Sequence, residues 1–158
     1  MVHLAGKKGV NLGLQITGLD KAQRQMGRAK QEARNMRPLF EKAIIILEQS
    51  HMQTFRQGGR PKWTPSKRAQ AQGGQTLQDT GRLRQTVTGR APAAIRQYNN
   101  EELRFGTKLI YAPSHQYGFP PRNIPQRPFL GVYSEDMKKM EKVFEDDLSN
   151  RLRVVTSG

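Results

Sequence analysis

The chain contains no cysteine. That excludes a disulfide scaffold, a thiol nucleophile and a thiolate metal site, and it fits assembly in a reducing cytoplasm. Histidine is scarce as well: His3, His51 and His115 are the whole set, and no spacing among them resembles a metal site. His51 falls near the edge of an apolar helical stripe, where a packed or surface imidazole is expected rather than a ligand. Long apolar runs are missing. The richest, Ala43-Ile44-Ile45-Ile46-Leu47, is far too short to span a bilayer, so no membrane partner is expected. The opening residues, 1–8, lack the basic-then-apolar order of a signal peptide, which predicts a chain that is soluble and cytoplasmic at birth. Catalytic signatures are lacking too. There is no Gly-x-Ser-x-Gly elbow and no Rossmann fingerprint, and Gly58-Gly59 and Gly73-Gly74 lack the Lys-Ser/Thr ending of a phosphate loop. Asp146-Asp147 and Glu101-Glu102 are adjacent pairs; neighbours on a helix diverge, so these read as solvated faces. The expectation is a protein that is not an enzyme and uses no cofactor or metal.

What the chain does hold is positive charge. Its 158 residues carry 27 Lys and Arg against 13 Asp and Glu, a net charge of +14. From Arg56 to Arg90 eight basic residues face the single acid Asp79, whereas Ser134 to Asp147 holds Glu135, Asp136, Glu141, Glu145, Asp146 and Asp147. A basic middle and a locally acidic end predict contact between unlike surfaces, on two copies of the chain or on different partners. Hydrophobic residues make up only 35% and the mean hydropathy is −0.78, so a fair part of the chain is expected to be exposed or covered by a partner. The length suits one domain over 1–158, with flexible ends at 1–9 and 154–158.

Periodicity organises the chain. Leu12, Leu14 and Ile16 alternate with polar residues and predict a strand over Val10 to Ile16. After Asp20 as a cap, Met26, Ala29, Ala33 and Met36 recur at helical spacing. Pro38 predicts a break near Asn35 to Arg37, followed by a second helix to about Arg56 with Leu39, Phe40, Ala43, Ile44, Leu47 and Phe55 as its apolar face. Gln57 to Gln78 reads as a long polar loop, with room for one short helix capped by Thr64 and begun by Pro65. A helical turn after Asp79-Thr80 would carry Leu83 inward. Val87 and Ala93 to Tyr98 look like strand, and Asn99-Asn100 predicts a hairpin into Leu103 and Phe105. Tyr111 to Tyr133 is dense in proline, glycine and aromatics, too broken for regular structure. Ser134 then caps a last helix, with Met137, Met140, Phe144, Leu148 and Leu152 as the buried face. The sum is an α+β fold: a small, mostly antiparallel sheet packed against two N-terminal helices and a C-terminal helix, with a long polar loop.

Three segments stand out in order. They are Phe55-Arg56-Gln57-Gly58-Gly59-Arg60-Pro61-Lys62-Trp63-Thr64-Pro65, then Leu77-Gln78-Asp79-Thr80-Gly81-Arg82-Leu83, then Tyr111-Ala112-Pro113-Ser114-His115-Gln116-Tyr117-Gly118 continuing through Ile124-Pro125-Gln126-Arg127-Pro128-Phe129-Leu130-Gly131. Together with Gly106-Thr107 between the last two, this set resembles the phage virion morphogenesis family, the Mu-like tail-completion proteins, over roughly Leu12 to Leu148. The loop Gln70 to Gln75 departs from the family by being shorter and more polar. The resemblance implies a structural protein of the neck or tail junction, found in the virion and assembled in the host cytoplasm. It further implies a role in completing or terminating the tail and helping to join it to the head. Its partners would then be the tail tube and the head-connector or neck proteins. Tail components sit on a rotational axis, and a ring needs heterologous contacts that close, so a homomeric ring is expected, six-fold favoured.

The interface candidates are Trp63, Arg60, Lys62, Arg82, Arg127 and Phe129. Trp63 reads equally as a satellite of the core or as an interface anchor. Arg127, between Pro125 and Pro128, reads either as a solvated or intrachain ion pair or as a bidentate contact to a neighbour's carboxylate. Gly81, Tyr111, His115, Gln116, Gly118, Pro125, Pro128 and Gly131 are structural candidates, with His115 bonding backbone in a tight turn. The rival class is a basic, sequence-independent nucleic-acid-binding protein, since phosphate contacts need only Lys and Arg. Against it, Trp63 is the only aromatic of the basic region, which leaves no stacking platform. Contact with packaged DNA is compatible with both readings.

Overall fold

Glu102 and Arg104 alternate with Leu103 and Phe105, and that period of two sets the layer structure. Leu103, Phe105 and Thr107 are fully buried on one face of their strand. The computed structural model describes residues 2–3, 10–15, 34–89 and 91–156. In chain order these form β1 (Val2–His3), β2 (Val10–Gln15), α1 (Arg37–Gln57), α2 (Lys67–Gln72), α3 (Arg82–Thr88), β3 (Ala94–Tyr98), β4 (Glu102–Thr107), α4 (Ala112–Tyr117), a 3-10 turn at Pro120–Arg122, and α5 (Ser134–Thr156). The four strands form one antiparallel sheet in the order β1-β2-β4-β3. Leu12 and Arg96 pair with Phe105 from its two sides, and Leu14 and Tyr98 pair with Leu103. The chain therefore has the expected α+β fold.

Helix α1 follows from its sequence. Pro38 sits in the first turn, where its missing N–H is no loss. Leu39, Phe40, Ala43, Leu47 and Phe55 are buried as expected and Ile44 packs partly against them. Each such large side chain removed from water stabilises the fold by roughly 1.5–3 kcal/mol. The helix stops at Gly58, whose φ of 72° is left-handed; its N–H donates to Phe55 O at 3.3 Å and that of Gly59 to Thr54 O at 2.8 Å. Strand β3 is tied to α1 by polar contacts: Tyr98 donates to Glu41 at 2.8 Å, and Arg96 pairs with Glu48 at 3.0 Å while its guanidinium lies over the Phe105 ring. The hairpin turns at Asn99 and Asn100 as its residues predict, with the Asn99 side chain accepting the Glu101 and Glu102 N–H groups.

Several expectations are corrected. Val87 belongs to helix α3 and not to a strand, because Leu83, Thr86 and Val87 share one buried helical face and the helix contacts α1. The loop helix begins two residues later than expected: Ser66 caps α2, accepting the Ala69 N–H at 3.1 Å. The segment from Tyr111 to Tyr133 holds α4 and the 3-10 turn rather than irregular chain alone. On α5 Met137 is 42% exposed, and the inward positions are Asp136, Met140, Val143 and Phe144, with Leu148 and Leu152 half-buried. The cap there is the Asp136 carboxylate, which accepts the Tyr133 N–H at 3.0 Å. The helix expected between Asp20 and Asn35, the strand end at Ile16 and the ends at 4–9 and 157–158 lie outside the described residues.

Six of the eleven described acidic side chains are engaged within the chain. Besides Glu41, Glu48 and Asp136, Asp79 pairs with Arg68, Glu102 with Arg104, and Asp147 with both Lys42 and Arg151. The acids of α5 left exposed, Glu135, Glu141, Glu145 and Asp146, are interspersed with exposed Lys138, Lys139 and Lys142. The helix therefore shows a mixed face rather than the acidic one its composition suggested.

Candidate functional site

The end of α1 is where the three ordered segments meet. Trp63 donates its indole N–H to Pro128 O at 2.8 Å, edge-on to Phe55, which also touches Phe129. Gly59 lets this happen: its φ is +108°, and a Cβ there would fall 2.6 Å from the Trp63 ring and from Pro61 O. Arg127 reaches back to the same loop, donating through Nε to Thr64 O at 2.7 Å and through Nη2 to Pro65 O at 3.4 Å. From the middle segment, Gln78 donates to Phe55 O at 3.0 Å.

Gln116 performs the part of a missing strand. Its side-chain oxygen accepts the N–H groups of Phe129 and Leu130, each at 3.1 Å, and its amide donates to Leu130 O at 2.8 Å. Three buried backbone groups of a segment with no sheet neighbour are thereby satisfied by one side chain. Gly118 is required two residues on. Its φ is +80°, and a Cβ would stand 3.0 Å from Gln126 N and 3.2 Å from Ile124 O.

Under this knot lies a polar network that periodicity does not reveal. Ser50 donates to Asp136 at 2.7 Å, and Arg60 donates to Ser50 Oγ and O, each at 2.6 Å, and to Thr54 Oγ1 at 2.8 Å. The Arg60 guanidinium lies 3.8 Å above the Tyr133 ring, and the Tyr133 hydroxyl donates to Arg60 O at 3.2 Å. His51 is adjacent and fully buried, stacked on Phe105. Its Nδ1 donates to Leu47 O at 2.5 Å and its Nε2 accepts the Gly131 N–H at 3.2 Å, which fixes one neutral tautomer. Burial lowers its pKa to about 4, against smaller opposing effects of the Leu47 bond and the Asp136 charge. Serine, histidine and aspartate thus lie close together without forming a relay, because neither imidazole nitrogen faces Ser50. The one available signal was three polar residues, Ser50, His51 and Thr54, on the inward face of an apolar helix.

These placements revise the interface candidates. Trp63, Phe129 and Arg127 are buried and packed within the chain. Within the chain Arg127 meets two backbone carbonyls and, among the described residues, no carboxylate, and burial lowers its pKa. Arg60 is taken up by the network. Lys62 and Arg82 are exposed, as a contact surface requires. Of the structural candidates, Gly81 opens α3 with φ +74°, Gly131 serves His51, Pro128 O receives Trp63, Pro125 is exposed and Tyr111 lies edge-on to His115. The His115 carbonyl accepts the Arg127 N–H at 2.7 Å, but its side-chain Nδ1 is buried without the backbone partner expected for it. Burial, and then the Arg127 charge, lower the His115 pKa.

Beside the knot, the first turns of α2 and α3, the loop between them and α4 enclose a cleft of about 420 Å³, lined in part by Arg68, Leu77, Arg82, Tyr111, His115 and Arg127. Among the described residues no group of three or more His, Asp and Glu side chains is placed to hold a metal ion, and no helix is long and apolar enough to cross a membrane.

Neither a curated protein nor a solved structure matched the chain. Residues 17–149, which include all three ordered segments and every contact of the knot, match the phage virion morphogenesis family, and the chain belongs to that family.

Proposed function

We propose that this protein is a non-catalytic structural subunit of the neck or tail junction, which completes or terminates the tail and helps join it to the head as a closed ring of identical copies, six-fold favoured. The observation that carries the reading is how the family segments are used. Trp63, Gln116, Arg127, Gly59 and Gly118 lock loops onto one another instead of converging on a substrate. Such locking yields a rigid surface, which a subunit needs if its contacts are to close at a fixed angle. Lys62 and Arg82 are the original candidates left on that surface.

The test is the mass of the purified full-length protein across salt concentrations, alone and mixed with isolated tails. A ring of uniform stoichiometry, or stable capture at tail ends after nuclease treatment, is the expected result. A second reading, sequence-independent binding of nucleic acid, draws on Arg56, Lys62, Lys67 and Arg82, which are exposed and make no ion pair among the described residues. A monomer that ignores tails yet binds any DNA with steep salt dependence would replace the first reading with the second.

A further inference from the structure

Some donor groups lining the cleft beside α3 have no acceptor among the described residues. Three guanidiniums line it, from Arg68, Arg82 and Arg127, against the single carboxylate of Asp79, which Arg68 engages at 3.5 Å. Arg127 directs Nε and Nη2 to the Thr64 and Pro65 carbonyls, and its Nη1 makes no hydrogen bond among the described residues. The Arg82 side chain makes none either, and His115 Nδ1 is buried without a partner. A buried polar atom left unpaired is uncommon and calls for a reason. The wall adds a second irregularity: Leu77 holds a φ of +62°, a region that bulky side chains rarely adopt and that is tolerated mainly where a site demands it.

Shape and lining narrow the ligand. A volume of about 420 Å³ lies low in the usual range of ligand pockets, roughly 300–1,000 Å³, and suits one or two side chains better than a polymer track. Leu77, Leu83 and Tyr111 give the cleft apolar walls, and Ile110, next to Tyr111 in the chain, is 86% exposed. Forked guanidiniums beside apolar and aromatic surface match a carboxylate carried on a protein chain. A second copy is a poor source: among the described residues its unpaired acids are Glu101, in the β3–β4 turn, and those interspersed with the lysines of α5, and its net charge is +14.

We propose that this cleft is a docking site for an acidic side chain, flanked by apolar residues, of a protein unlike this chain, with Arg82 and Arg127 binding the carboxylate and His115 donating to it. The existence of a particle partner rests on the function proposed above; the carboxylate chemistry does not.

The experiment follows the His115 ring by NMR in the full-length protein while a blocked leucine–aspartate–leucine peptide is added at physiological salt. The expected result is a saturable shift, a rise in the His115 titration midpoint, and binding weaker by at least about tenfold for the asparagine peptide. Arg82→Glu, at an exposed side chain that holds nothing in the fold, abolishes the shift. No saturable shift at His115, or one that survives Arg82→Glu, overturns the proposal. A tighter response of the same atoms to oligothymidylate overturns it in favour of phosphate. Tail capture and peptide binding, both measured on the parent protein, separate the two ideas. Peptide binding in a protein that never joins tails supports the cleft while refuting the neck role, whereas no peptide response with tail capture intact refutes the cleft alone.

Discussion

Ser50 and Asp136 stand 86 positions apart in the chain and share a hydrogen bond of 2.7 Å, with both side chains buried. The bond fastens the end of α1 to the first turn of α5. Asp136→Ala removes the acceptor of the buried Ser50 hydroxyl proton and of the part-buried Tyr133 N–H. It is expected to lower the unfolding free energy by about 2–4 kcal/mol in urea titrations, at roughly 1–3 kcal/mol per unsatisfied group. Asp136→Asn keeps an acceptor and should lose less than half as much. An alanine variant as stable as the parent would contradict this account.

Acid should weaken the fold through His51 before most carboxylates titrate. Its folded pKa of about 4 lies below the ordinary 6.5, so between these values the unfolded chain binds the extra proton. The stability is therefore fully present above pH 6.5 and is lost as pH falls towards 4, to a total of about 3 kcal/mol. Urea midpoints measured between pH 7 and 5 should fall for the parent and stay nearly flat for His51→Gln. Parallel slopes in the two proteins would rule His51 out as the source.

Gln116→Ala removes the only side-chain partner that three backbone groups have among the described residues. A loss of at least about 3 kcal/mol is expected, with the amides of Phe129 and Leu130 exchanging much faster in hydrogen-exchange measurements. Unchanged protection at those two amides would show that the segment is held by something else.

Neighbouring glycines should differ sharply. Gly58→Ala meets open space and faces only a left-handed φ, a cost near 1 kcal/mol. Gly59→Ala drives a methyl group into the Trp63 ring and the Pro61 carbonyl, and should cost several times more while shifting the Trp63 fluorescence. Equal thermal midpoints for the two variants would refute the close packing of that loop.

The sequence made α1, the Asn99-Asn100 hairpin and the α+β class legible because apolar period and turn chemistry act locally. Val87 misled because a β-branched residue favours strand, whereas its burial arises from the face it shares with Leu83 and Thr86. Trp63 and Arg127 were visible as unusual residues but not as partners of one loop. Their acceptors, Pro128 O and Thr64 O, are 65 and 63 positions away, and a carbonyl leaves no mark in composition. The family segments marked where the chain would be constrained. What they constrain, a knot of side chain to backbone bonds, required the third dimension.

The intrachain pairing of acids has a consequence for copies of the protein in solution. With Glu41, Glu48, Asp79, Glu102, Asp136 and Asp147 engaged inside each molecule, the exposed acids of α5 sit among its lysines and the net charge of +14 is left to face a like neighbour. Two such molecules repel on approach, but at physiological ionic strength the repulsion reaches only about 8 Å. Approach from farther away is therefore nearly indifferent to charge, and added salt should shorten that reach further.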